Sequence, residues 1–113
     1  MLRIEGTTIT LTRGDSARIQ LTLNKRYADG TTEAYTPEEG DTIRFAMKKE
    51  FSDELAPILI DIPTSTLLLH IRPANTKNLP YGEYKYDVEL TTANGDKDTF
   101  IEKATIILTE EVD

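Results

Sequence analysis

A chain of 113 residues is the common size of one domain and leaves little room for two, so residues 1–113 are read as a single domain. An apolar fraction of 38% with 29% charged residues excludes a disordered chain, and no run approaches the roughly 18 apolar residues of a membrane helix. Thirteen basic residues against twenty acidic ones give a net charge of −7, a surface that phosphate-rich DNA and RNA repel.

Cysteine is absent, and Met1-Leu2-Arg3-Ile4-Glu5 lacks the apolar run of a secretory signal. A domain that needs no disulfide and is made in the cytoplasm is therefore expected. The basic pairs Lys25-Arg26 and Lys48-Lys49 have no aromatic platform beside them, so neither reads as a nucleic-acid site.

Along the chain, period-two alternation dominates, as half-buried strands require. Ile9 and Leu11 alternate with Thr. Ala17, Ile19, Leu21 and Leu23 form a second set, and Arg13-Gly14-Asp15-Ser16 breaks the two apart. Tyr27 and Tyr35 flank a polar stretch, residues 28–34, that reads as a hairpin or loop of the kind where binding residues collect. Ile43, Phe45 and Met47 form a third set after the turn dipeptide Gly40-Asp41. Residues 51–55 suit one helical turn. Ile58, Ile60 and Ile62 form a fourth set, and Leu67, Leu69 and Ile71 a fifth. Residues 73–79 suit a second helical turn. Tyr84, Tyr86, Val88 and Leu90 form the sixth set and Ala104, Ile106 and Leu108 the seventh. Between these two, Ala93-Asn94-Gly95-Asp96 is the strongest turn signal, and Asn94-Gly95 suits a type I′ hairpin with positive φ at both residues. Residues 110–113 read as a tail.

Each set points to one face and needs a second layer to cover it. Seven or more short strands punctuated by turns predict an all-β, immunoglobulin-like, antiparallel sandwich of two sheets. Leu79-Pro80-Tyr81-Gly82-Glu83-Tyr84-Lys85-Tyr86 fits the corner that opens the sixth strand of such folds. Tyr84 is expected to bond back to the preceding corner and Tyr86 to face the core. The alternative for Tyr84 is plain core packing. The Thr-rich stretch Thr7-Thr8-Ile9-Thr10 and residues 58–62 are the candidate exposed edges, open to pairing with another subunit.

Catalysis needs activated groups within mutual reach, and the chain offers little. His70, the one histidine, alternates away from Leu69 and Ile71 and reads as a strand-surface residue. The carboxylates Asp41, Asp61, Asp87, Asp96 and Asp98 do not follow a calcium-loop spacing. There is no phosphate-binding Gly-rich loop. Arg13-Gly14-Asp15 matches an adhesion tripeptide but equally serves as an ordinary turn. A non-enzymatic protein without metal or cofactor is expected.

Four stretches together resemble the N-terminal immunoglobulin-like domain of baseplate upper proteins and related tail-associated proteins from phages and prophages of Gram-positive bacteria. They are Leu11-Thr12-Arg13-Gly14-Asp15-Ser16-Ala17, and Asp41-Thr42-Ile43-Arg44-Phe45-Ala46-Met47-Lys48-Lys49. The third runs from Ile71-Arg72-Pro73 through Thr76 and Leu79 to Gly82-Glu83-Tyr84-Lys85-Tyr86-Asp87-Val88, and the fourth from Thr99-Phe100-Ile101 to Ala104-Thr105-Ile106 and Val112. Asn75 departs from the usual aspartate, and Glu102-Lys103 stand where glycine is common. Family members often continue into a stalk or receptor-binding region, whereas this sequence stops at Asp113. The resemblance implies a virion structural protein of the tail or baseplate, docking other tail proteins or itself. The alternative is a carbohydrate- or protein-binding immunoglobulin-like module of a bacterial surface system.

Overall fold

A computed structural model describes residues 2–26, 28–49 and 58–110. Its elements are β1 (Leu2–Glu5), β2 (Thr8–Thr12), β3 (Ala17–Gln20), β4 (Asn24–Arg26), β5 (Thr32–Ala34), β6 (Thr42–Lys48), β7 (Ile58–Ile62), β8 (Leu68–Ile71), α1 (Pro73–Thr76), β9 (Gly82–Thr91) and β10 (Lys97–Thr109). Among the described residues the structure is all-β apart from one helical turn. Tyr27, the helical turn expected over residues 51–55 and the tail beyond residue 110 lie outside the described residues.

Six strands form one sheet in the order β1-β2-β10-β9-β6-β7, and β3 pairs with β8 in a small second sheet. The two layers share one core. Ala17, Ile19, Leu69 and Ile71 from the small sheet pack with Leu11, Phe45, Val88 and Ile106 from the large one. All seven apolar sets contribute to this core, because each strand turns its alternate side chains toward the facing layer. The large sheet's other face carries Thr10, Arg44, Glu83, Lys85, Asp87 and Glu89, polar as a solvated face should be.

The large sheet is mixed, which corrects the antiparallel expectation. β2 runs parallel to β10, with Ile106 opposite Ile9 and Leu108 opposite Leu11, and Arg13 N–H extends the ladder to Thr109 O at 3.1 Å. Residues 13–16 must carry the chain from the end of β2 into β3 in the other layer.

A second correction concerns the edges. β2 is interior, since β1 folds back on it in an antiparallel hairpin with Leu2 opposite Leu11 and Ile4 opposite Ile9. Among the described residues the edge strands of the large sheet are β1 and, as expected for residues 58–62, β7.

The second apolar set continues past its strand because the chain changes partners. Leu21 N–H still bonds Leu67 O at 2.9 Å, but Leu23 O accepts from Tyr35 N–H at 2.8 Å. From there β4 and β5 form a separate two-stranded ribbon over the stretch read as a hairpin or loop. Leu67 stands outside β8 with φ +53°, at the end of a turn in which its N–H reaches Pro63 O at 2.8 Å.

Candidate interaction site

The corner before β9 is assembled from two distant stretches of chain. Tyr84 is 4% exposed and its hydroxyl donates to Pro80 O at 2.7 Å. This closes a loop of four residues and supplies a donor to a carbonyl that no ladder reaches. Burial pushes the Tyr84 hydroxyl pKa up, against a smaller lowering influence from Arg13. Gly82 opens β9 at φ +127°, a conformation that favours glycine. Leu79 is half-buried against the core, and its N–H bonds Thr76 O at 2.9 Å.

Against this corner lies the turn between β2 and β3. Arg13 donates from its guanidinium to Leu79 O at 3.2 Å and stacks over the Tyr81 ring at 4.1 Å from its centroid. Gly14 N–H donates to the Thr76 hydroxyl at 2.9 Å, and Thr76 is fully buried. Arg13-Gly14-Asp15 therefore does not hang free as an adhesion loop would; its arginine and glycine latch onto residues 76–81. The sequence names Thr76 within the third stretch but gives no sign of its bond to Gly14 or of the latch, because partners more than 60 positions apart leave no local pattern.

α1 is closed at its start by Asn75, whose side-chain oxygen accepts the Arg72 N–H at 2.7 Å. An aspartate would accept the same bond, so the departure at Asn75 leaves the local geometry intact.

Tyr86 faces the core, 3% exposed, with its ring 5.3 Å from that of Phe45. Its hydroxyl donates to Thr7 O and pins the turn between β1 and β2. Burial pushes its pKa up to about 12. Tyr35 also donates, to Asp41 Oδ2 at 2.6 Å, and that hydrogen bond with burial raises its pKa to about 12. Asp41 is buried, and the same carboxylate oxygen accepts Glu38 N–H at 2.8 Å, so its role is to hold the turn into β6.

Residues 92–96 join β9 to β10 as a hairpin, but the turn is not type I′. Gly95 has φ +89°, whereas Asn94 keeps an ordinary negative φ. Gly95 N–H bonds Thr92 O at 2.9 Å, and Thr92 N–H bonds Asp96 O at 2.8 Å. This is a turn with Ala93 and Asn94 at its centre, followed by a left-handed glycine; the longer loop lets Asn94 avoid the strained region. Gly40, also at φ +89°, abuts this hairpin: a Cβ on it would stand 2.6 Å from the Ala93 Cβ.

The remaining polar candidates are scattered. His70 lies on the outer face of the small sheet, opposite Arg18. Desolvation, then Arg18 and Arg72, hold its pKa down. Asp61 pairs with Arg44 at 3.3 Å on the outer face of the large sheet, and Lys97 with Glu89 at 3.7 Å. Among the described residues no three His, Asp or Glu side chains gather around one point.

What the surface does offer is open strand edge. β1 carries Leu2 and Ile4, 36% and 44% exposed, and β7 carries Leu59 at 51%. Leu2 and Ile4 sit opposite Leu11 and Ile9 and so share the inner face of the large sheet, where the two-stranded sheet is too narrow to cover them. No family model, curated protein or solved structure matches the chain.

Proposed function

We propose that the protein is a virion structural component of a phage or prophage tail or baseplate, an immunoglobulin-like domain that assembles by docking and catalyses nothing. The observation that carries this reading is the pair of edge strands, β1 and β7, unpaired on their outer sides among the described residues and each with a partly exposed large apolar side chain. Such edges invite pairing unless a partner covers them. The immunoglobulin-like assignment draws support from the tyrosine bond at the start of β9 and from β3–β8 lying over the large sheet. The family resemblance adds a further point: its first and third stretches meet through Arg13, Gly14, Thr76 and Tyr81.

In the virion, neighbouring tail proteins would cover these edges, each stable contact burying roughly 1,000 Å² or more. The test is mass spectrometry of particles purified after prophage induction in the source strain. Stoichiometric co-purification with tail proteins is expected. Particles that form without the chain, while it is abundant in cytosol or cell wall, would overturn the proposal and favour a glycan- or protein-binding surface module.

A further inference from the structure

Among the described residues β3 has a strand neighbour on one side only. β8 pairs with it antiparallel, with Ala17 opposite Ile71, Arg18 opposite His70, Ile19 opposite Leu69 and Gln20 opposite Leu68. Among the described residues no strand pairs with its other side. The Leu21 N–H bond to Leu67 O identifies that pair as hydrogen-bonded. Antiparallel pairs alternate, so Ile19 and Ala17 are also bonded to β8, and the N–H and C=O groups of Arg18 and Gln20 face the open side.

Beside that open side runs a groove of about 260 Å³, between β3 and the hairpin of β1 and β2. Its lining includes Ile4, Ile9, Ile19, Leu21, Val88 and Ile101, with the Tyr86 bond to Thr7 O closing one part of the wall. A cavity of roughly 150 Å³ lined by such residues accepts a benzene ring, so this groove has room for about two apolar side chains. It lies where a third strand of the small sheet would run, over the uncovered Ile4. The positive charge on the outer face beside it comes from two arginines: Arg18 stands opposite His70, and Arg72 lies near enough that, after desolvation, both arginines hold the His70 pKa down. That patch stands out on a chain of net charge −7.

We infer that β3 is a docking edge for an extended segment of a partner protein whose residues alternate apolar and acidic. The segment would hydrogen-bond Arg18 and Gln20 along the backbone, place its apolar side chains in the groove and set its carboxylates beside Arg18. A second copy of this acidic chain is disfavoured by like charge. The inference deepens the assembly reading and rests on it, by naming the edge and the chemistry of what binds there.

The probe is a capped synthetic peptide of about seven residues alternating isoleucine with glutamate, with a lysine-for-glutamate peptide as control. Both are titrated into the full chain, and backbone amides are followed by NMR and hydrogen exchange. At saturation the Arg18 and Gln20 amides should exchange at least tenfold more slowly, and the lysine peptide should bind at least tenfold more weakly. Arg18→Glu, an exposed substitution that leaves the core untouched, should reverse that preference. Equal binding of the two peptides, no change at Arg18 and Gln20, or protection confined to β1 or β7 would each overturn the inference. So would concentration-dependent self-association abolished by Arg18→Glu, which would make the occupant a second copy. Incorporation of Arg18→Glu into purified particles separates the two readings. Wild-type and variant chains incorporating alike would leave assembly standing and remove β3 from it. A wild-type chain absent from particles would sink assembly itself, whatever the peptide does.

Discussion

Replacing Thr76 by valine isolates the latch between the two halves of the corner. The side chains are nearly the same shape, so the change removes one hydroxyl from a fully buried site and opens no cavity. That hydroxyl accepts the half-buried Gly14 N–H at 2.9 Å, and valine leaves the donor without its acceptor. An orphaned buried donor costs about 1–3 kcal/mol, more than the bond's own net value, because the amide has already given up its water. The added methyl offsets part of this, so a net loss of about 1.5–2 kcal/mol is expected. At ~2.1 cal/mol/K per residue, 113 residues give an unfolding entropy of about 0.24 kcal/mol/K, so the midpoint should fall by about 6–8 °C. Chemical denaturation with unchanged m-value measures the loss, and hydrogen exchange locates it. The Gly14 amide should lose protection in Thr76→Val and keep it in Thr76→Ser, which retains the acceptor. A loss below ~0.5 kcal/mol, or a Gly14 amide equally protected in both variants, would refute the argument that this bond joins the corner.

Three further outcomes follow from the same geometry. Tyr84→Phe removes the donor to Pro80 O and should cost about 1 kcal/mol in denaturant titration, a modest loss because water can reach the exposed proline's carbonyl. Gly95→Ala and Gly40→Ala both force alanine to φ +89°, a cost of about 1–2 kcal/mol, but only at position 40 does the new methyl meet Ala93. Gly40→Ala should therefore destabilise clearly more than Gly95→Ala in parallel melts. Alkaline pH should unfold the protein through its tyrosines. Tyr35 and Tyr86 titrate near 12 when folded against an ordinary value of 10, so the unfolded chain releases these protons first. Their contribution is complete below pH 10 and disappears as pH rises toward 12. Denaturation midpoints across that window should fall, and Tyr86→Phe should flatten the decline; an unchanged slope would count against burial as the cause.

The core was legible from alternation alone because a strand's side chains obey a strict period of two, whatever lies opposite. Tyr84 and Tyr86 were legible for the same reason, helped by Pro80 and Gly82, which mark where the strand must begin. Pairing partners were not. Nothing local in Thr8-Ile9-Thr10 distinguishes an edge strand from one enclosed between β1 and β10, and nothing local in Arg13 points to Leu79 and Tyr81. The Asn94-Gly95 hairpin shows a finer limit. The dipeptide marks the bend, but the number of loop residues decides which of the two takes positive φ.

The most consequential gap concerns the inner face. Leu2 and Ile4 carry the same pattern as Ile9 and Leu11 and point the same way, yet the first pair is 36% and 44% exposed and the second is buried. Alternation states which side chains face inward and is silent on whether another strand lies over them. A six-stranded sheet faced by a two-stranded one leaves inward-facing positions uncovered at its margin, and those positions border the open side of β3. A domain that completed its own second sheet would have used Ile4 as core. Among the described residues the incomplete layer, the open backbone groups of Arg18 and Gln20 and the arginines of the outer rim coincide on one side of the molecule, which sets β3 apart from β1 and β7 as the edge with both an apolar groove and positive charge beside it.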